Sequence, residues 1–216
     1  TEADLEDSFA VRGSLPGVPA NISGGNLDKA QMRAVAVLSG KHRLVVVEGA
    51  AGAGKTATLA GTQTIVDRTG HRMIVVTPTL KAAHAVATEA GVRAHSGAWL
   101  AHQYGFTFDD NGEWSREPSP PSADAELGRG DLLLIDEAGM LDQDTALALL
   151  TVCDEAGATV ALVGDRAQLA AVGRGGVLDM AGQLRGRTFD MAQVHRFTDP
   201  AYAEVTLRMR DGRSPG

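Results

Sequence analysis

One stretch constrains this chain more than any other: Gly49 to Thr56, reading GAAGAGKT. It fits G-x-x-x-x-G-K-[ST] in full, and its flanks supply the context that gives the pattern meaning. Arg43 to Gly49 (RLVVVEG) is a short apolar run with β-branched residues, which predicts a strand buried on both faces, as in a parallel sheet. A helix is predicted to follow the glycine-rich turn, to about Gly70. A chain that leaves a strand, turns on glycines and enters a helix aims backbone N–H groups and partial positive charge at one point, where phosphate is favoured. On this reading Gly49, Ala50, Ala51, Gly52, Ala53, Gly54, Lys55, Thr56 and Ala57 enclose a triphosphate tail. Lys55 reaches the outer phosphates, and the Thr56 hydroxyl is a candidate Mg²⁺ ligand.

The rest of the chain repeats the strand–helix alternation. RMIVVTP, LLLIDEAG and ATVALVGD read as further strands, and TFDMAQV as a fifth. Leu27, Gln31, Val35 and Leu38 recur at helical spacing, with Gly40 placed to end that helix. LKAAHAVATEAG and AHSGAWLAHQYG predict a second and a short third helix, and PAYAEVTLRMR a closing one. Ala146, Leu149, Leu150 and Cys153 share one helical face. Strands alternating with helices predict an α/β domain with a mostly parallel sheet. Residues 1 to 25 read as a flexible lead-in, and 107 to 130, rich in Pro, Ser, Asp and Gly, as a long surface loop.

Composition narrows the classes. With 44% hydrophobic but 4% aromatic residues, the core is built from aliphatic side chains. No apolar run approaches the ~20 residues of a membrane helix, and the start lacks the order of a signal peptide. The single cysteine, Cys153, excludes an internal disulfide and a cysteine-rich metal site, and points weakly to a cytoplasmic setting. A net charge of −7 argues against a protein that coats DNA electrostatically, but not against a local groove for a strand.

Further motifs sit at predicted strand ends. Asp136 ends LLLID, and in a parallel sheet strand ends meet at the ligand crevice, so its carboxylate is placed to hold the cation that Thr56 also binds. Glu137 follows and is a candidate general base for the attacking water. The alternative for this pair is an ordinary acidic helix start. Gln168, in LVGDRAQL, is either a sensor of the γ-phosphate or a polar loop residue, and spacing alone does not choose.

Together LDKAQMRAV, GAAGAGKT, TPTLKAA, LLLIDEAGM, LVGDRAQLAAVGRGG and VHRF resemble the first motor domain of superfamily 1 DNA helicases of the RecD-like branch. The likeness is to the helicase part of TraA/TrwC/TraI-type conjugative relaxases, from about Leu27 to Arg196. The resemblance implies a RecA-like P-loop NTPase, a three-layer α/β/α domain over 26–197, using ATP and Mg²⁺. It implies that Gln31 reads adenine, that Asp136 and Glu137 form the DE pair, that Gln168 couples hydrolysis to movement and that Arg196 points at the γ-phosphate. It implies single-stranded DNA along Thr77, Thr79 and Lys81, whose hydroxyls and ammonium suit phosphate contacts without base readout. His95 and Ser96 fall at a second DNA-contact motif, although Arg93-Ala94 departs from the usual Thr-Ile there. Trp99 reads as a core residue, with base stacking as the alternative.

Relatives of this type travel 5′ to 3′ with a second motor domain across the ATP cleft, and relaxases carry a nuclease upstream. Both ends of this sequence read as cuts in a longer protein, with 198–216 the start of a connection to that second domain. The 20 residues after Arg196 are too few for another α/β domain. The chain alone is therefore expected to bind nucleotide weakly, hydrolyse it slowly and not unwind duplex DNA. Two other readings remain: a P-loop enzyme that does not translocate, and a nucleotide-gated binding module.

Overall fold

The computed structural model describes residues 27–40, 42–49, 54–108, 114–165, 176–178, 180–181 and 189–191. Six strands form one sheet: β1 (Leu44–Glu48), β2 (Met73–Thr77), β3 (Ala94–Ser96), β6 (Leu132–Ile135), β7 (Thr159–Gly164) and β8 (Phe189–Asp190). Their spatial order is β3-β2-β6-β7-β1-β8, and every pairing is parallel. The helices are α1 (Lys29–Leu38), α2 (Lys55–Arg68), α3 (Leu80–Ala90), α4 (Gly97–Gln103) and α5 (Gln143–Ala156).

Alternation along the strands decides the layers, because successive side chains leave a strand on opposite faces. Leu44, Val46, Ile74, Val76, Leu133, Ile135, Val160 and Leu162 pack on one side with Leu100 of α4 and Leu149 and Cys153 of α5. Val45, Val47, Met73, Val75, Leu132, Leu134, Ala161 and Val163 pack on the other with Ala34 and Leu38 of α1 and Leu59 and Val66 of α2. This is the predicted three-layer α/β/α arrangement. The face chosen on α5 is the expected one, with Ala146, Leu149, Leu150 and Cys153 all buried. Truncating a fully buried Leu such as Leu149 to Ala costs about 2–5 kcal/mol.

Two segments differ from expectation. AHSGAWLAHQYG, read as one helix, begins with β3, because Ala94, His95 and Ser96 extend the sheet beside Val75, Val76 and Thr77. Ser96 then caps α4, its Oγ accepting from the Trp99 N–H at 3.1 Å. The 107–130 stretch, read as a loop, completes an antiparallel ribbon of β4 (Phe106–Phe108) and β5 (Trp114–Arg116). Arg116 holds this ribbon down. It forms two hydrogen bonds to the Glu155 carboxylate of α5, at 2.5 and 2.7 Å, and lies over the Phe106 ring at 4.6 Å. The chain after the ribbon is strapped to the amino edge of the sheet. Arg72 donates to the carbonyls of Ala123 and Glu126, and Ala125 and Leu127 are buried beneath. Polar composition misled here because a few aromatic and aliphatic anchors outweigh it. The expected closing helix after Pro200 and the segments 1–25 and 198–216 lie outside the described residues.

Candidate functional site

A parallel sheet delivers all its strand ends to one edge, and three of them build the site. Gly49 follows β1, Asp136 and Glu137 leave β6, and Gly164 ends β7 between them. With neighbouring strands about 4.8 Å apart, β1 and β6 hold their carboxyl ends roughly 10 Å apart. Gly164 allows the parts to meet. Its carbonyl accepts the Gly49 N–H at 2.9 Å. A Cβ there would press on Leu178 at 3.0 Å and on the Ala138 and Gly139 amides at 3.4 and 3.5 Å.

Gly54 heads α2 in the left-handed region, φ 77° and ψ 28°, and Lys55 and Thr56 open the helix behind it. Glycine is favoured there because L-residues resist that φ, and a Cβ would also have to displace Nε2 at the end of the Gln31 side chain. Gln31, itself 5% exposed, lies against Gly54 at the head of α2. Ala50 to Ala53 lie outside the described residues.

Asp136 is 5% exposed, and its Oδ1 has no hydrogen-bond partner among the described residues. Burial pushes its carboxyl above the usual range, while the Lys55 ammonium and the Glu137 backbone N–H pull it down. A buried carboxylate oxygen left without a partner costs free energy unless something else satisfies it. A hard cation with an oxygen ligand set is a chemically fitting occupant, and Mg²⁺ commonly takes one or two carboxylates and completes its shell with phosphate and water.

Glu137 is the one non-glycine residue among the described residues with positive φ, at 55°. Left-handed backbone costs such a residue about 1–2 kcal/mol. Strain of this kind clusters where geometry is held for function. Here it turns the chain sharply between β6 and a 3-10 turn (Ala138–Met140) and directs the Glu137 N–H at Asp136. The Thr56 hydroxyl donates to Oε2 of Glu89, near the end of α3, at 3.4 Å. A hydroxyl rotor with so long a bond costs little to redirect. Nothing near Thr56 in the sequence signals Glu89, which is 33 residues away.

The residues expected along DNA are brought together at the same edge, on the side away from β1. The register pairs Val76 with His95 and Thr77 with Ser96, so the ends of β2 and β3 lie side by side. Their side chains differ in availability. Thr77 is fully buried and donates to the Thr79 carbonyl at 2.7 Å, so it shapes the turn and is not offered to a ligand. Thr79 caps α3 through the Ala82 N–H, and Ser96 caps α4. Lys81 is exposed, and Leu80 beside it is 61% exposed. The His95 ring stacks on Trp99, centroids 3.8 Å apart and planes 14° off parallel, and Trp99 also packs against the core. Burial lowers the His95 pKa, with Asp124 opposing and Arg93 reinforcing that shift. Gln168 and Arg196 lie outside the described residues.

A parallel sheet with the glycine-headed helix α2 following β1 and an acidic pair at a neighbouring strand end defines a RecA-like P-loop domain. The chain belongs to the AAA domain family, whose model matches residues 26–216. It is related to RecD-like helicase motor domains and to TraA-type transfer proteins. The ATP-dependent RecD2 DNA helicase of Deinococcus radiodurans is 32% identical over 155 residues, 72% of this chain and 20% of that protein. The conjugal transfer protein TraA of Agrobacterium fabrum is 27% identical over 146 residues, 67% of this chain and 12% of that protein. The chain thus spans a fifth or less of the length of these relatives. Among solved structures, the UvsW helicase of bacteriophage T4 aligns with a TM-score of 0.50 at 12% identity, covering 88% of this chain and 67% of that one. An Arterivirus nonstructural protein 10 helicase, solved with DNA, aligns at 0.46 and 18% identity, over 85% of this chain and 43% of that one. Among the described residues no helix is long and apolar enough to cross a membrane.

Proposed function

We propose that this chain is the ATP-binding and hydrolysing motor domain of a 5′-to-3′ DNA helicase that acts on single-stranded DNA, in the helicase part of a conjugative relaxase. The observation that carries the nucleotide reading is Asp136: a buried carboxylate with an unpartnered oxygen, under the influence of Lys55 and next to a strained Glu137. Gly49 to Ala57 enclose the phosphates, and Lys55 meets the outermost ones. Thr56 and Asp136 hold Mg²⁺, which when bound neutralises charge on the β- and γ-phosphate oxygens. Glu137 accepts the proton of the attacking water. Gln168 couples cleavage to movement, and Arg196 meets the γ-phosphate, both by the resemblance alone. Thr79, Lys81, His95 and Ser96 at the β2 and β3 ends form the strand track, and two hydroxyls are already engaged as helix caps. Direction of travel and the relaxase setting rest on the resemblance to RecD-like and TraA-type proteins.

Three substitutions in the 216-residue chain test this. Lys55→Ala is expected to abolish binding of Mg-ATP, measured by calorimetry. Glu137→Gln is expected to keep binding and lower turnover about 10²–10⁴-fold. Unchanged turnover in Glu137→Gln removes the assigned base. An arginine finger supplied across the cleft is worth about 10³–10⁵ in rate in related phosphoryl-transfer enzymes, and these 216 residues assayed alone are expected to turn over slowly. Robust DNA-stimulated hydrolysis by these 216 residues alone would overturn that. Lys81→Ala is expected to weaken single-stranded DNA binding for every sequence alike and to reduce its salt slope by about one.

A further inference from the structure

The shortest strand of the sheet reaches the head of α2. β8 pairs with the end of β1, Phe189 beside Val47 and Asp190 beside Glu48. The next residue, Met191, donates its backbone N–H to the Glu48 carbonyl at 2.8 Å, so it is fastened where the chain turns into Gly49. Its side chain is buried. The place a Cβ would take on Gly49 lies 3.6 Å from both Cβ and Sδ of Met191 and 3.5 Å from Cγ of Lys55. The same Sδ lies 4.0 Å from Oγ1 of Thr58, one turn into α2 and 133 residues away in sequence. Met191 therefore packs against both ends of the glycine-rich segment, the residue that enters it and the helix that leaves it.

Thr58 connects that packing to the backbone. The Gly54 carbonyl accepts the Thr58 N–H at 3.1 Å and the Thr58 hydroxyl at 3.2 Å. Two donors on one carbonyl fix the direction of that C=O. The peptide unit is planar and trans, so the Lys55 N–H points the opposite way, out of the helix start. That is the direction in which a helix offers its first N–H groups to phosphate. The Thr58 hydroxyl has one proton and two neighbours able to take it. A thioether is a weak acceptor, so the proton goes to the carbonyl, while the adaptable Met191 side chain fills the space behind it. We propose that Thr58 and Met191 are a positioning pair for the phosphate site: Met191 is the floor under Gly49 and α2, and Thr58 fixes the Gly54 carbonyl so that the Lys55 N–H stays aimed at phosphate. The inference rests on the nucleotide site proposed above. Neither residue touches the ligand, and both act through the Gly54–Lys55 peptide.

The test separates aiming from general stability. Affinities of the 216-residue chain for Mg-ATP and for tripolyphosphate without magnesium are measured by calorimetry, beside chemical denaturation of each variant. Met191→Ala empties the floor, and Thr58→Val keeps the shape and removes the hydroxyl. Each is expected to weaken tripolyphosphate binding about tenfold, the scale of one hydrogen bond to a charged group. Thr58→Val leaves the Gly54 carbonyl with its backbone donor, so the variant is expected to fold as the wild type does. Met191→Leu restores most of the volume and is expected to recover affinity to within about twofold. Leu149→Ala truncates the core on the other face of the sheet. It is expected to destabilise the fold at least as much as Met191→Ala and to leave tripolyphosphate affinity within about twofold of wild type. Affinity that tracks stability alike in Met191→Ala and Leu149→Ala would reduce Met191 to a packing residue and overturn the proposal. Wild-type affinity in Thr58→Val would overturn the role of its hydroxyl. A wild-type chain that binds neither tripolyphosphate nor Mg-ATP would sink the nucleotide reading itself, and the pair would then have no phosphate to serve.

Discussion

At the carboxyl edge of the sheet, Asp136 keeps a buried oxygen without a partner and Glu137 holds a left-handed backbone, whereas at the amino edge the polar groups meet several partners each. Arg72 donates to two carbonyls, and Arg116 reaches a carboxylate, a carbonyl and an aromatic face. The Tyr104 hydroxyl accepts from the Leu127 N–H at 3.0 Å and donates to the Ala125 carbonyl at 3.2 Å. The two edges share one sheet and one pair of cores. Their difference shows where free energy is spent: one edge secures the chain, and the other keeps unmet hydrogen-bonding capacity for something outside it.

The contrast predicts opposite responses to substitution, and the largest is at Glu137. Glu137→Gly removes the proposed base, so turnover should fall about 10²–10⁴-fold. Stability should hold or rise, because about 1–2 kcal/mol of strain is relieved and only about 0.4–1 kcal/mol is returned through the freer unfolded chain. A loss of stability in chemical denaturation would mean that the turn is not strained.

At the paired edge the sign reverses. Tyr104→Phe leaves the Leu127 N–H without its side-chain partner and should cost about 1–3 kcal/mol, a fall of about 2–4 °C in melting temperature per kcal/mol. A melting point equal to wild type would show that the strap does not need this pair.

Asp136→Asn should melt higher than wild type at neutral pH and lose the stabilisation that Mg-nucleotide gives. Burial, the largest influence, raises the folded pKa of Asp136 above its unfolded value. An acid shifted that way contributes stability fully below the unfolded value, about 3.9, and loses it as pH rises through the folded pKa. The gap between wild type and Asp136→Asn should therefore close on acidification toward the unfolded value. A gap that widens instead would show that burial is not the dominant influence.

The smallest effect is expected for Glu155→Gln. The Arg116 hydrogen bond holds the Glu155 carboxyl below its usual value. That contribution is present above the unfolded pKa and lost as pH falls through the folded one. Both partners retain solvent contact, so less than about 1 kcal/mol is expected at neutral pH. Thermal melts of wild type and variant should converge in acid.

Much of this was readable from residue order. Val-rich runs became central strands because burial on both faces selects continuous apolar sequence. The helical spacing of Ala146 to Cys153 chose the correct face of α5. Strand–turn–helix around GAAGAGKT placed Lys55 and Thr56 at a helix start. Other features were not local. β3 is three polar or small residues that count as strand only because β2 lies beside them. Thr77 looked available because spacing cannot report burial. The D-x-x-Q pattern at Asp28 and Gln31 was a visible capping signal, realised at the head of α1, but that the Gln31 side chain reaches Gly54 was not.

Sequence by itself determined the alternation of elements, the buried faces and the chemistry offered at strand ends, since these depend on near neighbours and on a fixed side-chain period. Only the tertiary structure decided which offered groups stay open: the Asp136 oxygen does, the Thr77 hydroxyl does not. The reason is physical. Whether a polar atom finds a partner depends on what folds against it from far along the chain, and no local pattern carries that information.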